Sequence, residues 1–210
     1  MPQPNHPIEV EFPAIPVPVK QVLRRLGYPA DHQIEPGMRQ IIDAEIEASV
    51  RCFNFQGIYT IFKIESLNVS ELTFQETSFS IKSAQVAKML KQASQVVLFM
   101  VTIGEALETK VKELLRVQEP TRAFILDAIG SETADALADH LHWQILSDLA
   151  EENGMRVTPR FSPGYGDWPV TIQPEFHRVC QGNRIGISVT DSSLMIPRKS
   201  VSAVLGFTSK

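Results

Sequence analysis

A ten-residue stretch, RFSPGYGDWP from Arg160 to Pro169, carries the groups with the clearest potential for ligand chemistry. It contains two prolines, two glycines, three aromatic residues, an arginine and an aspartate. Because proline removes a backbone donor and glycine weakens a helix, we expect neither a helix nor a central strand here. The residues Ser162-Pro163-Gly164-Tyr165 instead predict a tight turn, with proline at its second position and glycine at the third, where φ is positive.

The side chains of this loop suit a small, flat and partly zwitterionic ligand. Arg160 offers planar, bidentate hydrogen bonding to a carboxylate or phosphate. The N–H groups of Gly164 and Tyr165 are expected to add to an anion cradle. Phe161, Tyr165 and Trp168 offer rings that stack on a flat group or face a cation. The alternative is a structural turn with aromatic plugs, and composition alone leaves both interpretations open.

Other reactive residues form weaker patterns. Asp135, Asp139 and His142 have the spacing i, i+4, i+7 on a predicted helix, on the side opposite its apolar stripe. Such a set can bind a divalent metal, although a solvated acidic face is the favoured interpretation. Cys52 and Cys180 lack CxxC spacing, which favours buried or incidental thiols. Since no GxSxG elbow, HExxH helix, P-loop or GxGxxG motif occurs, the sequence favours action by binding.

Charge and hydropathy exclude several classes of partner. The 210 residues include 20 basic and 24 acidic side chains, for a net charge of −4, and no basic run. This charge balance lacks the excess of basic residues that is typical of nucleic-acid-binding proteins. The longest apolar run, Val96 to Val101, is far shorter than the ~20 residues that span a bilayer. No basic region followed by an apolar stretch marks a secretory signal, so we expect a cytoplasmic protein without membrane contact.

Helices and strands must together position these residues. Apolar spacing predicts helices over 19–26, 36–52, 84–93, 104–117, 120–153 and 173–181, and strands over 8–12, 59–64, 96–103, 185–189 and 200–207. Because they intermix without regular βαβ alternation, the fold class expected is α+β, with an antiparallel or mixed twisted β-sheet and flanking helices. Residues 1–18 are expected to form an extended proline-rich segment, and residues 19–210 a single domain.

The longest predicted helix, 120–153, has two distinct stripes. Its apolar face consists of Leu126, Ile129, Leu137, Leu141, Ile145 and Leu149. Beside that face, Gly130, Ala134 and Ala138 are spaced four apart and form a ridge of small side chains. This ridge is expected to allow another backbone to approach closely, beneath the loop.

The loop resembles a motif of the activation domain of cobalamin-dependent methionine synthase. The family pattern is an arginine, two variable residues, Pro-Gly-Tyr and a proline four positions on, matched here by Arg160, Pro163-Gly164-Tyr165 and Pro169. A second match comprises Ile-Gly-Ile at 185–187, Thr190-Asp191-Ser192, Met195, Pro197 and Ser200-Val201-Ser202. A weaker third match is the helix segment Ala134 to Asp139. The resemblance is strongest over 120–207, and Val101 to Gly104 is similar to short stand-alone members.

The resemblance implies an activation-domain-like fold and a specific task. Domains of this family bind S-adenosylmethionine and dock over a partner that carries the cobalamin. A flavodoxin or ferredoxin-type donor supplies an electron to the oxidised cofactor, and S-adenosylmethionine then remethylates the cobalt. The domain itself contributes placement of the methyl group. The chain is thereby expected to be a subunit of a methyltransferase in methionine biosynthesis, and not a catalyst alone.

The resemblance also assigns roles to individual residues. Arg160 is expected to bind the methionine carboxylate of S-adenosylmethionine. The backbone around Ser162 and Gly164 is expected to line the adenosine, and Tyr165 to lie at the mouth of the site, facing the corrin. Asp135 occupies the position of a helix carboxylate near the ligand.

Three hypotheses about function follow. The first is a stand-alone activation subunit for a cobalamin-dependent methionine synthase, working in the cytoplasm with that cobalamin-binding protein and an electron donor. The second keeps the fold and changes the client to another corrinoid-dependent methyltransferase. The third is an independent enzyme that uses S-adenosylmethionine on a small substrate, although no acid, base or nucleophile is arranged for such chemistry.

Overall fold

A computed structural model of the chain describes residues 4–29 and 33–209. The predicted start of the proline-rich segment, residue 1, and the predicted end of the domain, residue 210, lie outside the described residues. The helices are α1 (Val19–Arg25), α2 (Pro36–Ser49), α3 (Ala84–Met89), α4 (Ala106–Arg116), α5 (Pro120–His140), α6 (Ser147–Glu152) and α7 (Gln173–Cys180). The strands are β1 (Ile8–Val10), β2 (Gln56–Leu67), β3 (Glu71–Phe74), β4 (Ser80–Lys82), β5 (Ala93–Thr102), β6 (Met155–Val157), β7 (Ser188–Val189), β8 (Met195–Ile196) and β9 (Ser200–Ser209).

Within the described residues, the main sheet has seven strands and is antiparallel throughout. Its order is β4-β3-β2-β5-β9-β6, and β1 pairs with the first part of β2. Strands β7 and β8 form a separate two-stranded sheet. The predicted α+β class with a twisted sheet and flanking helices is confirmed. Of the two sheet types predicted, antiparallel and mixed, the structure has the antiparallel one.

The continuous apolar run of β5 reflects burial on both faces of the sheet. Every residue from Val96 to Val101 has 0% exposure. Val97, Phe99 and Val101 pack in one core with residues of α4 and α5. The residues that alternate with them along the strand are Val96, Leu98 and Met100. These point to the other face and pack in a second core with residues of α3 and α7. Since successive side chains point to opposite faces, a central strand with both faces covered needs no polar position.

The predicted long helix forms, but it is interrupted. Helix α5 continues into a π-helical segment, Leu141–Leu146, and then into α6. The predicted apolar face is buried at Leu126, Ile129, Leu137 and Leu141 and partly buried at Ile145 and Leu149. A Cβ added to Gly130 would lie 2.6 Å from Cδ2 of Leu107 and 3.3 Å from Cε of Lys199. The small ridge therefore admits neighbouring side chains at close range.

Short elements account for the main errors of the prediction. Strands β3 and β4, with four and three residues, were not predicted because so few residues show no clear alternation. The predicted strand 185–189 is wrong in its first part, where Gly182–Ile185 is a 3-10 turn and only Ser188–Val189 is strand. Among the described helices, none has the length and apolar composition that would carry it across a membrane.

Candidate ligand-binding site

A cavity of about 600 Å³ lies where the loop meets the second motif stretch. The cavity is lined by the first part of the loop, the start of α7, Asp135 of α5, residues on both sides of β8 and the start of β9. The lining residues are Asp135, Arg160, Phe161, Ser162, Pro163, Tyr165, Val170, Gln173, Ser193, Leu194, Met195, Arg198, Ser200, Val201 and Ser202. The volume is in the range of small-molecule sites.

The first end of the loop is fixed to the sheet. Phe161 exchanges two backbone hydrogen bonds with Val204 of β9, at N···O distances of 2.9 and 2.8 Å. This bridge places Arg160 at the edge of β9, where the strand borders the cavity. The position of Arg160 is thus set by backbone pairing as well as by its own side-chain contacts.

The second end of the loop is fixed by Trp168 and Asp167. Trp168 is 1% exposed, and its ring centroid lies 6.0 Å from that of Phe176 in the core. Asp167 accepts hydrogen bonds from the Ser83 hydroxyl and, at 2.7 Å, from the Ala84 N–H at the start of α3. The Ser83 bond is the main cause of a lowered pKa of the Asp167 carboxyl. Because Trp168 is buried, the expectation that its ring stacks on a ligand is wrong.

The predicted turn is confirmed, but its N–H groups are already used. Gly164 has φ +93°, and Tyr165 N–H donates to the Ser162 carbonyl at 3.3 Å. Gly164 N–H donates to the Trp168 carbonyl at 2.8 Å. The expected anion cradle from these two groups is therefore wrong: the turn satisfies them internally. Gly164 is absent from the cavity lining, whereas Tyr165 lines it and is 70% exposed.

Arg160 lines the cavity while paired with an acidic side chain. Its Nη1 donates to the Asp139 carboxylate, and its side chain is 22% exposed. Asp139 is its sole side-chain partner among the described residues, so the guanidinium keeps other N–H groups for a ligand. Burial raises the pKa of Asp135, and the charge of Arg160 opposes that shift. The structure thus gathers Arg160, Ser162, Tyr165 and Asp135 in the lining of one cavity.

His142 does not lie on an exposed face with Asp135 and Asp139, as the spacing had predicted. It is 1% exposed, and its Nε2 lies 2.9 Å from the Thr158 carbonyl, to which it donates. His142 is the second residue of the π-helical segment Leu141–Leu146, and its bond to Thr158 joins that segment to the chain before the loop. Burial lowers the pKa of His142. The described part of the chain holds no cluster of three or more His, Cys, Asp or Glu able to bind a metal.

The cysteines have no role in the cavity. Cys180 is fully buried in α7, and burial raises the pKa of its thiol well above the usual range. Cys52 is half-buried and unpaired. The favoured interpretation of inert thiols agrees with these positions, since the reactive form of cysteine is the thiolate.

Two further polar residues of the cavity were not singled out from the sequence. Gln173 is 2% exposed, and its Oε1 accepts a 3.0 Å hydrogen bond from the Ser202 hydroxyl. Its Nε2 is buried without a partner in the described structure. Arg198 is exposed and also lines the cavity. Arg198 lies between Pro197 and Ser200 of the second motif, so that motif could have drawn attention to it. Gln173 lies outside both motifs, and no sequence pattern marked it.

Comparisons with known proteins agree on one family. A family model described as vitamin B12 dependent methionine synthase, activation domain, matches residues 73–210, which include both motif stretches and extend the likeness upstream of residue 120. A crystal structure of the MetH reactivation domain bound to AdoHcy (S-adenosylhomocysteine) is similar, with a TM-score of 0.72 and 13% sequence identity. The match covers 96% of this chain and 78% of that chain. At this identity the likeness shows a shared fold. No curated protein matches the chain.

Proposed function

Since the chain belongs to the family of vitamin B12 dependent methionine synthase activation domains, we propose that its cavity binds S-adenosylmethionine on behalf of a cobalamin-carrying partner. The observation that carries the proposal is the cavity itself. Two stretches that are separate in sequence and characteristic of the family, 160–165 and 193–202, meet in its walls. The related MetH reactivation domain was crystallised with AdoHcy, a close analogue of S-adenosylmethionine.

The residues present fit this ligand. Arg160 keeps N–H groups for the methionine carboxylate, and Asp135 supplies a negative charge for the ammonium and sulfonium groups. We assign the adenosine to Ser162 and the adjacent backbone, since Ser162 lines the cavity. Gly164 acts indirectly, by allowing the positive φ of the turn. The unpartnered Nε2 of the buried Gln173 offers a donor to the ligand. Tyr165 forms the exposed mouth.

The chemistry supplied by S-adenosylmethionine is a methyl group on a positively charged sulfur. The chain's own residues bind and orient: Arg160 and Asp135 fix the amino-acid end, and Tyr165 faces the partner's corrin. Such placement lowers a barrier by fixing geometry, without an acid, base or nucleophile from this chain. The partner proposed is a cobalamin-binding methionine synthase, served by a flavodoxin or ferredoxin-type electron donor in the cytoplasm.

We also propose that the chain acts as one activation domain in a separate subunit. The structural match spans 96% of the chain, which supports a single domain over 19–210. The preceding segment pairs through β1 with β2, and Ile15 is buried against the main core, which supports counting that segment with the same domain. Detection of an endogenous protein of 210 residues, distinct from the synthase, tests the separate subunit.

Calorimetry on the purified chain tests the ligand. We expect one molecule of S-adenosylmethionine or AdoHcy to bind per chain, and methionine alone to bind much more weakly because it lacks the adenosine contacts. Absence of binding by either adenosyl ligand at millimolar concentration would reject this function.

Co-purification tests the partner. The chain is expected to associate with cobalamin-loaded methionine synthase and to accelerate its reactivation when S-adenosylmethionine and an electron donor are present. Selective capture of a different corrinoid protein would instead favour the second hypothesis. Turnover of S-adenosylmethionine without any cobalamin protein would favour the independent enzyme.

A further inference from the structure

The Arg160 end of the cavity lacks net positive charge. Arg160 contributes one positive charge, but Asp139 forms an ion pair with it. Asp135 lies one turn away on α5, lines the same cavity and interacts electrostatically with Arg160. Fully ionised, this end therefore carries one guanidinium against two carboxylates. A ligand carboxylate placed here gains hydrogen bonds from Arg160 but meets a negative surrounding charge.

Arg198 supplies a second positive charge to the same cavity. It lies between β8 and β9, lines the cavity, and its side chain is exposed. In the described part of the chain, no carboxylate forms an ion pair with Arg198 and no side-chain hydrogen bond holds it. Of the charged residues that line the cavity, it is the cation without a counter-ion of its own.

The next residue holds this turn in place. Lys199 is 11% exposed at its side chain, and its Nζ lies 2.7 Å from Asp127 Oδ1 and 2.8 Å from Ser131 Oγ on α5. Its backbone N–H donates to Glu108 of α4 at 2.9 Å. With Lys199 fixed against these helices, the turn is anchored and its neighbour Arg198 borders the cavity.

We propose that Arg198 is a second carboxylate-binding residue of this site and that it selects adenosyl ligands with a free amino-acid carboxylate. The proposal deepens the function proposed above and rests on it. Arg198 and Arg160 both line the cavity and would share the carboxylate, while Asp135 remains available to the ligand's positive groups. The carboxylate of a zwitterionic ligand then interacts with the two arginines, and its ammonium group interacts with Asp135, within one cavity.

Two ligands that differ in a single group test this assignment. S-adenosylmethionine and its decarboxylated analogue share the adenosine, the sulfonium and the amine, and differ in the carboxylate. Calorimetry with Arg198→Gln is expected to show affinity for S-adenosylmethionine reduced about tenfold, the range for a charged hydrogen-bond partner. Affinity for the decarboxylated analogue is expected to stay within about twofold of the unsubstituted protein, because that ligand offers Arg198 no anion.

Arg116→Gln is the matched control, since it removes one exposed cation from α4 outside the cavity lining. Equal melting temperatures of the two variants establish that folding is intact. If Arg198→Gln changes neither affinity, or weakens both ligands equally, the role of Arg198 is rejected while S-adenosylmethionine binding stands. If the unsubstituted protein binds neither ligand, the proposed function fails and this assignment fails with it.

Discussion

Arg160 is the residue on which the proposed ligand recognition most depends. One of its N–H groups is donated to Asp139, and the remaining groups are available at the cavity wall. We predict that Arg160→Ala lowers the affinity for S-adenosylmethionine by about 1.5–3 kcal/mol, because charged hydrogen bonds to the carboxylate are lost. Calorimetry measures the change, and Arg156→Ala on β6, outside the cavity lining, is the control. An unchanged affinity in a folded variant would mean that the loop is a structural turn.

His142 makes stability depend on pH. Burial lowers its pKa below 6.5 in the folded protein, and its Nε2–H donates to Thr158, two residues before Arg160. In the range between the two pKa values the unfolded chain binds the additional proton. Stability is therefore full above about pH 6.5 and is lost as the pH falls through the lowered folded pKa.

Urea denaturation at several pH values measures this loss, and His142→Gln is the matched variant. Glutamine retains an N–H donor for the Thr158 carbonyl and does not titrate. We expect the variant to have a flatter pH dependence below about pH 6.5. The same slope in both proteins would assign the acid sensitivity to other groups.

The sequence predicted which residues line the cavity better than it predicted the side chains that they contact. Arg160, Ser162, Tyr165 and Asp135 were named from the sequence and line one cavity. The ion pair of Arg160 with Asp139 was not predicted, because it joins residues 21 positions apart through the packing of the loop on α5. Gln173 was missed for the same reason, since its burial depends on the contact between α7 and β9.

At the scale of elements, Trp168 links the loop to the core. Its ring packs between Phe161 and Phe176, and its indole N–H is buried without a partner in the described structure. We predict that Trp168→Ala lowers the free energy of unfolding by about 3–5 kcal/mol through the cavity it leaves. Trp168→Phe is expected to cost much less, because it retains an aromatic ring and removes the unpartnered donor.

Urea denaturation of the two variants measures this difference, and calorimetry shows whether the loop still presents Arg160. We expect Trp168→Ala to weaken S-adenosylmethionine binding and Trp168→Phe to retain it. Equal stability of the alanine and phenylalanine variants would contradict the anchoring role.

Long elements could be predicted from periodicity, whereas interruptions could not. The pattern over 120–153 identified α5 and its buried face, since many turns repeat the same spacing. The π-helical segment Leu141–Leu146 leaves no comparable signal, because one inserted residue alters the spacing only locally. His142 was placed on the wrong face because helical spacing does not reveal its contact with Thr158, 16 positions away.

At the scale of the whole molecule, the ligand is expected to stabilise the fold. The cavity is built from the loop, α7, the segment around β8 and the start of β9, so a bound ligand contacts parts that separate on unfolding. A ligand at 100 times its Kd adds about 2.7 kcal/mol to the free energy of unfolding. For a chain of this size we predict a rise in Tm of roughly 5–10 °C with AdoHcy. No rise at saturating AdoHcy would contradict this prediction, and methionine is the control.

The fold class could be predicted from the mixture of helices and strands, but the arrangement of the sheet could not. Adjacency of β5 and β9 depends on pairing between Phe99 and Ala203, more than a hundred residues apart. Local propensity carries no information on such pairs. The order of the sheet nevertheless determines the cavity lining, because β9 brings Ser202 beside Gln173 and bridges to Phe161.

A crystal structure of the protein with AdoHcy tests the central claim most directly. We predict one ligand in the cavity, with its carboxylate between the guanidinium groups of Arg160 and Arg198 and its sulfur towards the mouth at Tyr165. A ligand bound elsewhere on the molecule, or an empty cavity at saturating AdoHcy, would contradict the account.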